Sequence, residues 1–406
     1  MEISSFIRSH KGQNLFLPAH SRGIGLPKEL RKLLRGRPGI WDLPELPGLG
    51  GPLFSSGAVH ESQKYSACSF GVDKCWYGVN GATGLLQAAI LSLATPGSGI
   101  LMPRNVHKSV IQACSLGDIT PYLFDLPFLP DRGHYLPPDH FWMNKVLENI
   151  PSDGPQVAGV LLVNPSYQGY SSDIGDLVYQ CHSKGLPVIV DEAHGAHFTA
   201  DLEELPKSAI KAGADLVVHS LHKSANGLVQ TAVLWMQGNQ IDPTSIERSL
   251  ALLQTTSPSS LLLSSCELAL RELKSLKGKQ KLKSIVYEAK EIFNKLLAKD
   301  IPLIKIDDPL RLVFHTDSYG ISGFQADEWM MSHNIYAELP EPACLTFCLG
   351  LAPHKGLAKK LSNNWSKLIK FYGNKKSSSR YIAPPVDLIM TPEMSCFSAS
   401  KKKNKL

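Results

Sequence analysis

The 406-residue chain is 43% hydrophobic with a formal net charge of +6, so it can bury one large core and a smaller second one. Much of the positive excess sits late, at Lys375, Lys376, Arg380, Lys401, Lys402, Lys403 and Lys405. The remainder is nearly neutral and lacks the basic, aromatic-interleaved face that nucleic-acid binding needs. No run approaches the roughly 20 apolar residues of a membrane span, and the opening MEISSFIRSHKGQ lacks a secretory apolar stretch, which predicts a cytoplasmic protein with no membrane or nucleic-acid partner.

Residues 1–55 are rich in Pro and Gly and predict an extended arm that packs on another surface. Residues 56–260 predict the large domain. Within it, short apolar runs at 99–102, 121–124, 157–163, 187–190, 215–219 and 231–236 alternate with helix-like stretches such as 84–94, 107–116 and 176–184. Several runs are apolar on consecutive positions, as in strands covered on both faces, so the large domain is α/β with a mostly parallel sheet. Residues 261–373 predict a smaller α+β domain, with helices over 262–276 and 281–299. Strand-like pieces follow at 303–306, 310–315, 335–338 and 344–349, with a helix near 326–332. Residues 374–406 lose periodicity and read as a basic, flexible tail. The eight cysteines form no CxxC pair, so reduced, buried thiols are expected.

In such sheets function collects beyond the carboxyl ends of the strands. Lys223 follows the run 215–219 and could form an imine with an aldehyde cofactor, although a lysine there is more often solvated. Asp191 ends the run 187–190, about thirty residues earlier. A carboxylate there would keep a pyridoxal phosphate ring nitrogen protonated. Gly81-Ala82-Thr83-Gly84 offers helix-start amides and a hydroxyl for a phosphate, with Ser220 and His222 as further donors; as a turn alone it is merely a helix cap. His107 could stack on a cofactor ring or be a solvated loop residue. Asp191-x-x-His194-x-x-His197 could suggest a metal, but no further ligand has matched spacing and no metal is expected. Asp191-Glu-Ala-His194 also spells the acidic box of some ATPases, which would require a phosphate loop absent from this sequence.

With these residues in view, the sequence resembles the ornithine/lysine/arginine decarboxylase family of fold-type I pyridoxal-phosphate enzymes. The matching pieces include Pro18–Gly23, Asp42–Gly48, Val79–Gly84, Pro103–Ser109, Asn164–Gly169, Val190–His197, His219–Lys223 and Gln254–Ser259. The resemblance implies that Lys223 carries pyridoxal 5′-phosphate, Asp191 pairs with its ring nitrogen, His107 stacks on the ring and Ala193 packs on the other face. Thr83, Ser220 and His222 match phosphate positions, beside Ala82 and Gly84. Thr256 and Ser257 fall in a segment that lies near the dimer interface and reaches toward the partner's site. It further implies a homodimer or higher homo-oligomer. Ala82 stands where many relatives carry Ser, Ala19 and Ser21 replace Gly and Lys of the arm, and the sequence stops soon after Phe397 where relatives continue.

The expected function is decarboxylation of a basic amino acid (arginine, lysine or ornithine) to CO2 and an amine, within polyamine-type metabolism. Lys223, His107, His194 or His222 would return a proton to Cα. Glu338, Glu192 and Asp173 are candidates for the substrate's distal charge. Two alternatives stand beside it: another fold-type I reaction such as transamination, for which Arg311 could clamp a carboxylate, and a shortened non-catalytic relative that regulates an active partner.

Overall fold

Consecutive apolar residues become the inner strands of a seven-stranded sheet in the computed structural model, which describes residues 3–372 and 380–382. The strands are β1 (Lys74–Gly78), β2 (Gly99–Pro103), β3 (Thr120–Phe124), β4 (Val157–Val163), β5 (Val188–Asp191), β6 (Leu216–Ser220) and β7 (Ala232–Met236). Their order is 1-7-6-5-4-2-3, and only β7 runs against the others. Leu101, Val160, Leu162, Val188, Val190 and Trp235 pack into one hydrophobic layer. Ile100, Met102, Leu161, Ile189, Val218 and Leu234 pack into the other. Burial on both faces is why these strands show no alternation in sequence.

β1 was not among the expected strands. It begins with an exposed lysine and continues through Cys75, Trp76 and Tyr77, a run too short and mixed to stand out. The helix expected to start at Gly84 starts at Gly81, so Gly81–Gly84 form its first turn and not a loop before it. Helix Lys108–Gly117 begins one residue after His107, which caps it.

A second, antiparallel sheet takes the strands Leu303–Ile304, Arg311–Phe314, Leu345–Cys348 and Leu339–Pro340 in that order. Helices Leu276–Leu297, Gly323–Ser332 and Leu357–Tyr372 cover it. Ile335–Tyr336, expected among these strands, pairs instead with Gln13–Asn14 of the arm. The arm then crosses to the end of β6, where Ala19 N–H donates to the His222 carbonyl at 2.8 Å and Leu351 N–H donates to Ala19 at 2.9 Å. The arm therefore lies on its own chain, between the small sheet and the loop of Lys223.

Seven cysteines are free among the described residues; all are buried except Cys68, whose exposure departs from the expectation. Among the described residues no helix is long and apolar enough to cross a membrane. Apart from Arg380, Tyr381 and Ile382, the expected tail lies outside the described residues, as do Cys396 and the segment 390–397.

Candidate active site

The carboxyl ends of the parallel strands open into a cleft of about 540 Å³. Ala82, Thr83, His107, Asp191, Ala193, His194, Ser220, His222 and Lys223 line it, together with Asn105, Val106, Val163, Pro165 and Tyr167. These residues come from five separate loops or helix starts, so the cleft depends on the sheet order for its assembly.

Asp191 is the last residue of β5 and is buried. Its Oδ1 accepts the Ala193 N–H at 3.1 Å, and among the described residues its second oxygen accepts nothing. Burial raises this carboxyl above its usual range, against the opposing pull of Lys223. Lys223 sits in the four-residue helix Leu221–Ser224 that follows β6. Burial holds its amine below the ordinary lysine range, while Asp191 pulls the other way. Its Nζ lies 3.1 Å from His194 Nε2. Burial, reinforced by Lys223 and Arg311, keeps His194 well below the usual imidazole range.

His107 accepts the Ser109 N–H through Nδ1 at 3.3 Å. That contact places the ring proton on Nε2. Burial lowers His107 as well, and takes His222 down to about 4, with Lys223 adding to the effect.

At the opposite end of the cleft, helix Gly81–Leu93 starts without a side-chain cap. Its first-turn amides have no partner within the helix and carry the positive end of its dipole. Ser220 Oγ and His222 Nδ1, 3.1 Å apart, stand beside them. Behind this turn, off the cleft wall, Gln254 Nε2 is buried without an acceptor. It lies against Gly84, where a Cβ would come within 2.8 Å of it. An unsatisfied buried donor beside a bare helix start fits a phosphate group.

The sequence does not single out Gln254, whose only signal is its place at the head of the segment Gln254–Ser259. The strand-end rule points to the segment Asn164–Gly169 without singling out Tyr167, whose ring packs on His194 with centroids 4.6 Å apart and whose hydroxyl donates to Glu338 Oε1. Gly84 lies on the helix start but not on the cleft wall, and Thr256 and Ser257 are exposed outside their own chain's cleft. His194 and His197 are directed to different partners, His197 meeting Asp308 at 3.1 Å in a fully buried pair. Of the distal-charge candidates, Glu192 is buried and held by Ser208, Ala209 and His219. Asp173 is outside the cleft wall, and Glu338 stands next to it behind Tyr167.

The family model for the Orn/Lys/Arg decarboxylase major domain matches residues 17–313. The chain belongs to the Orn/Lys/Arg decarboxylase family. That family is pyridoxal-phosphate-dependent, and the lysine, buried carboxylate and open helix start of this cleft fit the group. This family member is 29% identical over 337 residues to an arginine decarboxylase of Bacillus anthracis, covering 80% of this chain and 67% of that protein. An arginine decarboxylase of Halalkalibacterium halodurans is 30% identical over 335 residues, with the same shares covered. In fold it is similar to lysine decarboxylase A of Pseudomonas aeruginosa (TM-score 0.72, 15% identity, 91% of this chain and 59% of that one). The constitutive lysine decarboxylase of E. coli gives a TM-score of 0.71 at 18% identity, over 91% and 60%. The chain thus spans about three fifths of those two solved structures.

Proposed function

We propose that this family member decarboxylates a basic amino acid, with arginine the first substrate to test because the relatives named above are arginine decarboxylases. The observation that carries the reading is the meeting of Lys223, Asp191 and the open helix start at Ala82–Thr83 in one cleft. When bound, pyridoxal phosphate supplies an electron sink for the electron pair that a departing carboxylate leaves at Cα.

The protein's own groups divide the remaining work. Asp191 holds a proton at the cofactor's ring nitrogen, and its burial keeps that contact dry. The amides of the first helix turn, Ser220, His222 and Gln254 take the phosphate. His107 and Ala193 bracket the ring. Lys223 would hold the cofactor through its amine, and with His194 Nε2 3.1 Å away it could also give or take a proton at the reacting carbon. Val106, Val163 and Pro165 give the departing carboxylate an apolar wall, and among the described residues no arginine lines the cleft to hold it. A transaminase needs such a clamp, whereas a decarboxylase must release the group.

Glu338 is assigned to the substrate's distal cation by its position behind Tyr167. Assembly as a homo-oligomer, with Thr256 and Ser257 turned toward a partner, a cytoplasmic location and a role in polyamine formation complete the proposal. The test is product analysis with arginine, lysine and ornithine: CO2 and amine support it, and a keto acid without CO2 replaces it with transamination.

A further inference from the structure

Three side chains run in line from the small sheet to Lys223. Arg311 opens the strand Arg311–Phe314, is 5% exposed, and donates through Nη2 to His194 Nδ1 at 2.9 Å. His194 Nε2 in turn lies 3.1 Å from Lys223 Nζ. A guanidinium has five N–H donors, no acceptor, and does not lose its proton in proteins, so the direction of the first bond is fixed. An imidazole that accepts at Nδ1 carries its one proton at Nε2. A doubly protonated ring would set N–H against N–H beside a buried cation; a ring with no Nε2 proton would be an anion. The Nε2–H therefore points at Lys223, and a hydrogen bond there requires a lone pair on Nζ.

We infer that Arg311 is a positioning residue that, through the tautomer of His194, holds Lys223 as the neutral amine in the cofactor-free protein. Only the neutral amine can add to an aldehyde, because protonation occupies the attacking lone pair.

The line is held from both sides. Gly169 has φ +104°, and a Cβ there would lie 2.7 Å from Arg311 Cγ, so the bare backbone makes room for the arginine. The Tyr167 ring packs on His194. Lys223 also faces Asp191 and Glu338, which favour the ammonium, and the Cys348 thiol. His194 also faces His107 and His222. Burial is the largest influence on both groups and acts in the same sense as Arg311.

The purpose assigned to the free amine rests on reading Lys223 as the cofactor lysine, but its protonation state is measured without cofactor. Competitive labelling of the cofactor-free full chain with acetic anhydride over roughly pH 6 to 10, read at the Lys223 peptide by mass spectrometry, should give a midpoint at least about one pH unit below an ordinary lysine near 10.4. Arg311→Met should move that midpoint up by about one unit, and slow the appearance of the cofactor's visible band at neutral pH by about tenfold. Arg311→Lys, which keeps a cationic donor, should recover part of both and serves where the methionine variant is poorly folded. A wild-type midpoint at the ordinary lysine value, or an unchanged midpoint in both variants, overturns the inference. A low midpoint with no cofactor capture leaves it standing and removes the functional reading instead.

Discussion

Glu192 accepts a hydrogen bond from His219 at 2.6 Å beneath the floor of the cleft, and neither side chain is exposed. Trp235 donates its indole N–H to His219 Nδ1 at 2.8 Å, so the ring is the neutral Nε2–H form. Ser208 Oγ and Ala209 N–H complete the carboxylate's shell. The group therefore ties β6, which leads into the short helix of Lys223, to the loop after β5. Glu192→Ala leaves three buried donors without an acceptor and should cost about 3–5 kcal/mol. A urea unfolding midpoint unchanged from the parent protein would contradict this.

Asp191→Asn keeps the size of the side chain but cannot hold the cofactor's ring proton by charge. The variant should still capture pyridoxal phosphate on Lys223 while turnover falls by roughly 10²-fold or more. Spectral titration alongside CO2 release separates the two effects, and Asp191→Glu should recover part of the rate.

Gly84→Ala tests the phosphate end. Alanine is the better helix former by about 1 kcal/mol, yet its Cβ would displace Gln254 Nε2, which sits 2.8 Å from that position. The cofactor-free variant should melt no lower than the parent, while its affinity for pyridoxal phosphate falls roughly tenfold. Equal affinity in both proteins would remove Gln254 from the site.

The cleft histidines give the cofactor-free protein a pH signature. Burial brings His222 from 6.5 down to about 4, so between those values the unfolded chain binds a proton that the folded chain does not. Stability should therefore be level above about pH 7 and decline as pH falls from 6.5 toward 4. Thermal melting across this window should show a shallower decline in His222→Gln. A bound phosphate favours the charged ring and should weaken the dependence in the loaded protein.

What could be read in the sequence followed burial. β4, β5 and β6 are apolar on successive positions because both faces are covered, and Asp191 at the end of β5 and Lys223 three residues past β6 are legible as polar residues at the strand ends. Helix Ala58–Phe70 was not legible, because part of its buried face is polar: Ser62 and Ser66 meet the Tyr77 hydroxyl at 2.9 and 2.7 Å. Helix Leu357–Tyr372 does carry a helical signal in Leu357, Leu361, Trp365 and Leu368, though it was not among the expected elements. The sequence offers Arg311 only as a carboxylate clamp; its bond to His194 joins residues 117 positions apart and leaves no local trace. Gln254 and Tyr167 meet Gly84 and His194 through packing that spacing along the chain does not reveal.

The most direct test mixes the purified protein with pyridoxal phosphate, records the visible spectrum, reduces with borohydride and maps the labelled peptide, with CO2 release from arginine, lysine and ornithine measured in parallel. The account predicts a visible band, the label on Lys223, CO2 from at least one of the three substrates, and loss of all of these in Lys223→Ala. A label on another lysine, or a Lys223→Ala protein that keeps both band and CO2 release, would contradict it.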